Sequence, residues 1–497
     1  MNYRFLRRPL CAVLCGVLFL PIVPAVHGAE EEAENISGME RVAEPENVPD
    51  ASRLFDGDTV HAVTIPGCLT LSDPRGIGSA YLIFDTESGE YTVSDLEKTV
   101  TFGQQGFLHE FLDLEAAFGY APQAVTFSFP EPGAQVNEVY LFTSGKVPDF
   151  VQKWKPPKEG ETDLMLFSAH GDDEHLFFAG LLPDYAGERG YETLVVYLTN
   201  HRNRGTLRCH EMLNGLWAVG VTTYPILGPF HDLFCKTRDR AYALHDSKGE
   251  SPDELLGFVV EQLRRFRPQV AVGHDIGGEY GHGQHTLFSE LLRQGVEAAG
   301  DPAQYPGLAQ RCGAWQVPKT YLHLWPENPV TLDWDQPLSR FDGMTAFQVS
   351  VKLGFACHKS QVGGVTGYIT GYGSAADIPK YSPCQYGLYR TTVGPDKGRQ
   401  DLFENLTSYR QQRLDDAIAR NEKASLEAAQ AARTFAQIQH QRLDYRQEYR
   451  QIQVRMGALS RREALLRLWI CLFFSVAALA GAALLFLLLI LIFNKKL

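Results

Sequence analysis

The chain of 497 residues is predicted to be an α/β protein: a parallel-sheet domain, preceded by a β-sandwich and followed by a helical stalk and one C-terminal transmembrane helix. Three observations carry that expectation. First, the apolar runs Leu164-Met165-Leu166-Phe167 and Val270-Ala271-Val272 each end in a loop rich in Gly, His and acids and then pass into helical pattern, the strand-loop-helix rhythm of a parallel sheet. Second, the residues upstream alternate in short runs punctuated by Gly and Pro. Third, a long stretch with almost no Gly or Pro gives way near the C-terminus to an uncharged apolar segment.

Met1 to about Gly28 carries Arg4, Arg7 and Arg8, an apolar stretch from Leu10 to Val23 and small residues near Ala25 to Ala29, the layout of a secretory signal peptide over 1–28. Residues 30–52 are rich in Glu, Ala and Pro and are expected to be a disordered linker. From 54 to 150, runs such as Ala80-Tyr81-Leu82-Ile83-Phe84, Ala124-Val125-Thr126-Phe127-Ser128-Phe129 and Val136–Phe142 predict the β-sandwich. Its last strand, Val139-Tyr140-Leu141-Phe142, resembles that of galactose-binding-like jelly-roll modules. Carbohydrate binding and a purely structural sandwich both stay open at this point. Trp154-Lys155-Pro156-Pro157 is a stiff connector into the parallel-sheet domain, placed at 163–408. Residues 410–467 read as a helical coiled-coil stalk, with apolar or small residues in 3-4 spacing from Leu414 to Leu466, or as one amphipathic helix folded back on the body. Residues 468–493 are uncharged and long enough for a bilayer core that takes about 20 residues. With the signal peptide, they place the body on the extracytoplasmic side of a membrane, in the periplasm or at the cell surface, although Arg461, Arg462 and Arg467 do not favour that orientation.

The chemistry concentrates where the two strands end, the place at which open α/β sheets bind ligands. Ser168-Ala169-His170-Gly171-Asp172-Asp173-Glu174 supplies one imidazole and three carboxylates, and Glu279-Tyr280-Gly281-His282-Gly283-Gln284-His285 supplies two more imidazoles. Zinc takes nitrogen and carboxylate ligands and, in a catalytic site, keeps one position open for water. His170 and Asp173 are two candidate ligands, with Asp172 between them placed to take a proton. Either cluster alone reads as a solvated helix start; together in one βα framework they read as a metal hydrolase.

His170-x-Asp172-Asp173-Glu174 with Tyr280-Gly-His282-x-x-His285 resembles the PIG-L/LmbE-like metal-dependent N-deacetylases, and the resemblance covers roughly residues 163 to 408. It implies a Rossmann-like sheet in which His170, Asp173 and His285 bind zinc, or another divalent metal such as Fe2+, and Asp172 is the general base. It also implies that His282 stabilises the oxyanion or protonates the leaving amine, that Tyr280 polarises the amide carbonyl, and that Arg208, in an Arg-x-x-Glu element with Glu211, contacts substrate. Ala356-Cys357-His358-Lys359-Ser360-Gln361 resembles the family's pocket-closing segment. Two departures stand out: Gly171 where the family usually has proline, and Gln284 where it has an acid. The implied substrate is an N-acetylated amino-sugar of the GlcNAc type in a glycan or glycoconjugate. The alternatives are an amidohydrolase on a longer N-acyl or non-sugar amide, and a non-catalytic glycan-binding protein.

A formal charge of −13 excludes a basic face for nucleic acid. The expected partners are the sugar substrate, the membrane through the C-terminal helix, and a second copy of the chain through the coiled coil. Cys68, Cys209, Cys235, Cys312, Cys357 and Cys384 permit up to three disulfides or six free thiols.

Overall fold

The computed structural model describes residues 31–202, 205–363, 369–421 and 463–493. The chain divides into two units, Glu32–Ile438 and a second made of its ends, Met1–Glu31 with Gln439–Leu497.

The larger unit begins with two antiparallel sheets. β1 (Val42–Ala43), β3 (Cys68–Ser72), β5 (Tyr91–Ser94), β6 (Thr99–Phe102) and β8 (Ala124–Ser128) form one, in the order β1-β3-β8-β5-β6. The other is β2 (Val63–Ile65), β4 (Ser79–Phe84), β7 (His109–Asp113) and β9 (Ala134–Phe142), in the order β2-β9-β4-β7. Leu69, Leu71, Val93 and Phe127 of the first sheet share one core with Leu82, Phe84, Val136 and Val139 of the second, as facing sheets require. The described part of the expected disordered linker is instead ordered. Ile36, Val42, Val48, Ala51 and Leu54 are buried in that core, and short turns over Met39–Arg41 and Ala51–Phe55 join them. Isolated apolar residues among acids were enough to dock the segment.

The second sheet system comprises β10 (Leu164–Ser168), β11 (Thr193–Thr199), β12 (Ile226–Phe230), β13 (Val270–Gly273), β14 (Lys319–His323), β15 (Pro329–Thr331) and β16 (Gln385–Thr391), in the order β12-β11-β10-β13-β14-β16-β15. The five strands β12 to β14 are parallel, whereas β16 and β15 add antiparallel at one edge. The chain moves outward from β10 to β12 and returns on the other side of β10 at β13, so the order reverses between β10 and β13. That is the position at which such sheets open a crevice beyond the strand ends.

β10 is apolar from Leu164 to Phe167 because both its faces are covered. Leu164 and Leu166 enter a core with Met212, Leu213 and Leu216 of the helix Leu207–Ala218. Met165 and Phe167 enter another with Val259 and Leu263 of the helix Pro252–Phe266 and Leu287 and Leu291 of the helix Gly283–Gly300. Ser251 and Glu254 cap the former reciprocally, with Pro252 at its first position. Arg264 then fixes the far end of the latter: its buried guanidinium donates to the carbonyls of Ala298 (2.8 Å), Ala299 (3.1 Å) and Asp301 (2.7 Å), where a cation also suits the helix dipole. The N-terminal end of that helix carries the second motif.

The sandwich packs on this domain. Phe107 stacks on Tyr224 with ring centroids 4.4 Å apart, and His109 Nε2 lies 2.9 Å from His210 Nδ1. All seven described cysteines, including Cys471, are free thiols, so no disulfide forms among the described residues.

The membrane expectation is corrected. Glu463–Phe493 is helical, but among the described residues no helix is long and apolar enough to cross a membrane. The extracytoplasmic, membrane-anchored localisation falls with it. The signal peptide at 1–28 lies outside the described residues. Of the coiled-coil stalk, the helix Tyr409–Asn421 is described and 422–462 lie outside the described residues.

Candidate metal centre

The loop after β10 and the loop after β13 leave adjacent parallel strands, so the residues of both motifs meet at the sheet's reversal point. The acidic cluster is itself the helix start: Asp173–Leu176 is one turn, not a loop preceding a helix. After β13 the chain turns tightly. Gly278 has φ 68°, and a Cβ there would lie 2.5 Å from the His282 carbonyl oxygen. Tyr280 holds φ 46°, rare for a non-glycine residue and the kind of strain found at functional sites. Its ring lies 5.4 Å from that of His285 and 5.5 Å from that of His282.

Three donor atoms converge. His170 Nδ1 is 3.1 Å from Asp173 Oδ2 and 3.2 Å from His285 Nε2, and His285 Nε2 is 3.2 Å from Asp173 Oδ2. All three side chains are buried. Ligands bound tetrahedrally at about 2.0–2.1 Å stand about 3.4 Å apart, so this nearly equilateral triangle fits one divalent ion.

The surroundings fix which ring nitrogens face it. Gln284 donates its amide N–H to the His231 carbonyl at 3.0 Å, which turns Oε1 toward His170, where it accepts from Nε2–H at 2.8 Å. His170 Nδ1 is thereby left as a lone pair. On the other side His285 donates Nδ1–H to Glu279 Oε2 at 2.8 Å and presents Nε2. His274 also lies within reach of Asp173 and His285. Its Nε2, however, accepts the Ala169 N–H at 2.9 Å and its Nδ1–H goes to Glu279 at 2.8 Å, so it supports the centre and keeps no free lone pair.

Both departures from the family pattern have local partners. Gly171 donates its N–H to His201 Nε2 at 2.5 Å, a bond that proline cannot make. Gln284 holds His170, so its replacement by leucine, which has no acceptor, is expected to weaken metal affinity about 10–100-fold, measured by competition with a chromophoric chelator.

Asp172 lies beside the triangle, with Oδ2 3.7 Å from Arg208 Nη2. Burial, with the neighbouring Asp173 charge, pushes its carboxyl up to about 7 against the pull of Arg208 and the histidines. His282 caps the helix Gly283–Gly300: its Nδ1 accepts the Gln284 N–H at 3.3 Å, leaving Nε2–H as a donor. Burial, with the charge of His170 and His285, lowers His282 to about 2, so it is a neutral imidazole. Burial, with the Asp173 and Asp172 charges, raises the Tyr280 phenol, which stays a protonated donor.

The structure thus brings His170, Asp172, Asp173, His282 and His285 together, with Tyr280 against the two later histidines. Arg208 is nearby but already engaged. Its Nη1 is 3.0 Å from Asp232 Oδ2, and Asp232 Oδ1 is 3.4 Å from His170 Nε2. Sequence reasoning missed Asp232, yet the signal was there, because it opens the loop after β12 just as the motifs follow β10 and β13. It also missed Glu279, whose buried carboxylate accepts from His274 and His285 (both 2.8 Å) and His323 (2.7 Å). Burial opposes ionisation of Glu279, but the histidines outweigh it and hold the carboxyl well below its usual range. Glu211 of the Arg-x-x-Glu element accepts from Ser360 N at 2.7 Å and Ser360 Oγ at 2.5 Å, tying down the Ala356–Gln361 segment.

Fold and centre together define an α/β domain with a histidine-carboxylate cluster, able to hold a metal ion, at its topological switch point. Residues 165–296 match the family model described as PIG-L: GlcNAc-PI de-N-acetylase. A 1D-myo-inositol 2-acetamido-2-deoxy-alpha-D-glucopyranoside deacetylase from Catenulispora acidiphila is 27% identical over 188 residues, 33% of this chain and 56% of that protein. One from Saccharopolyspora erythraea is 25% identical over 279 residues, 49% of this chain and all of that protein. Among solved structures, an N,N'-diacetylchitobiose deacetylase from Pyrococcus horikoshii is similar at 14% identity with a TM-score of 0.27, over 39% of this chain and 71% of that one. Through this segment the chain carries a PIG-L domain and is similar to proteins named as N-acetylglucosaminyl-type deacetylases. It spans 56–60% of the length of the first curated relatives it matches.

Proposed function

We propose that the chain is a zinc-dependent N-deacetylase that hydrolyses the acetamide of a GlcNAc-type amino-sugar, with His170, Asp173 and His285 holding the ion. The observation that carries this reading is the triangle of donor atoms at 3.1–3.2 Å, fed by both motifs. An ion held there supplies Lewis-acid polarisation of a carbonyl and makes a water about as acidic as pH 7.

The chain's own groups do the rest. Asp172 takes the proton of the attacking water, a task suited to a carboxylate whose affinity for protons burial has raised. His282, neutral and with Nε2–H free to donate, stabilises the developing oxyanion, and the protonated Tyr280 phenol adds a second donor. Arg208, held by Asp232, keeps Asp172 in place and lines the approach for substrate. The amine leaves with the proton that Asp172 collected.

The sign of the pH dependence follows. A base whose carboxyl titrates near 7 is protonated, and idle, in acid; a nearby cation favours its charged form. kcat/KM is therefore expected to fall as pH drops through a value at or below about 7, with no acid limb from His282, which is already neutral there.

The deciding experiment measures acetate released from N-acetylglucosaminides by the full-length chain, together with its metal content. Release that stops on chelation, returns with Zn2+ and is lost with the ion in His285→Ala supports the proposal. A chain that holds no ion at this centre, or that binds the sugar without releasing acetate, refutes it.

A further inference from the structure

Glu174, His175 and His358 form a second cluster that shares no residue with the centre above. Their side chains are fully buried, and one atom from each lies within 4.8 Å of the others. Glu174 Oε1 is 3.6 Å from His175 Nε2 and 3.7 Å from His358 Nε2. These separations are too long for hydrogen bonds but close to the about 3.4 Å between ligands of one tetrahedral ion.

Buried polar groups are almost always satisfied. Here all four ring nitrogens of His175 and His358 have no hydrogen-bond partner, and Glu174 Oε1 has none at hydrogen-bond distance, with the Tyr197 hydroxyl the neighbouring donor. The other carboxylate oxygen, Oε2, accepts the Asp172 N–H at 3.0 Å, which aims Oε1 at the histidines. The space beside both rings is kept open by a glycine: a Cβ on Gly215 would lie 2.8 Å from His175 Nε2 and 3.0 Å from His358 Nε2. His358 is delivered by the segment that Glu211 ties down through Ser360.

We propose that Glu174, His175 and His358 bind a second divalent transition-metal ion, of the zinc class, in a closed structural site. Two imidazoles and a carboxylate are a borderline nitrogen-oxygen donor set suited to zinc. With all three side chains inaccessible to solvent, the site offers substrate no approach, so the ion joins the turn Asp173–Leu176 to the segment that follows Phe355. It also anchors Glu174, whose second oxygen holds the backbone of Asp172.

The test counts ions per chain by plasma mass spectrometry after saturation of the full-length protein with Zn2+ and dialysis. Two are expected in the wild type, and one in each of His285→Ala, His358→Ala and Gly215→Ala. Gly215→Ala keeps all three ligand residues but sets a methyl group against both ring nitrogens, and alanine suits its helix, so it reads the site even where His358→Ala does not fold. In the Co2+-loaded protein, the visible absorption is expected to resolve into two components, of which Gly215→Ala removes one. A wild type with a single ion that His285→Ala abolishes overturns the proposal, as does retention of two ions by Gly215→Ala.

Discussion

Asp172→Asn is expected to retain the ion at the His170–Asp173–His285 centre and to lose about 10²–10⁴-fold in kcat, the usual worth of a positioned general base. The two effects separate because Asp172 contributes no atom to the triangle, while its neighbour Asp173 supplies one corner. Asparagine keeps the size of the side chain and the backbone N–H that Glu174 receives. It loses only the capacity to take a proton. Parallel measurement of kcat and metal content checks this, with Asp173→Asn as the contrasting variant, expected to lose the ion. If Asp172→Asn instead retained most of its turnover, the base would have to be sought elsewhere.

Glu279→Ala is expected to be the most damaging substitution outside the ligands. One buried carboxylate serves three imidazoles, and its loss leaves His274, His285 and His323 each without the acceptor for Nδ1–H. Breaking a buried charged network typically costs about 3–5 kcal/mol, and removing the partner of a ligating histidine about 10–100-fold in metal affinity. A lowered denaturant midpoint together with weaker zinc binding would show both. The folded-state pKa of Glu279 lies well below its ordinary 4.5. Its stabilising contribution is therefore complete above about pH 4.5 and is lost as pH falls toward the folded value. The gap in stability between wild type and Glu279→Ala should be widest at neutral pH and close in acid.

Much of the centre was legible because its parts follow a rule of sheets. Uniformly apolar runs mark strands covered on both faces, and a ligand-rich loop after such a strand lies at the sheet's binding edge. β10 and β13 showed this plainly. β12 did not, because Gly228 and Pro229 break its apolar run, and Asp232 at its end went unread. Glu279 was hidden differently. An acid in a glycine-rich loop looks solvated, and nothing local reveals that His274 and His323, from two neighbouring strand ends, converge on it. The pairing of Gln284 with His170 likewise spans 114 residues and needs both loops in place. In the sandwich, alternation marked β4, β8 and β9, whereas composition misread the segment before it, since a few separated apolar residues bury as well as a run does. The C-terminal stretch misled in the opposite sense, because an uncharged apolar run of sufficient length set the expectation of a span.

The adjacency of β10 and β13 also sets an order of events during folding. His170 and His285 are 115 residues apart in the chain, and β11, β12 and four α-helices must be accommodated between them before the two strands can pair. Contacts of such separation form late, after loop closure has been achieved. On the proposed ligand set, full coordination of an ion would follow assembly of the parallel sheet, because a nascent chain ending before residue 285 would carry only two of the three ligands, His170 and Asp173. Ion uptake then becomes a clock for completion of the domain, and its rate reports when the sheet closes rather than how fast the ion diffuses.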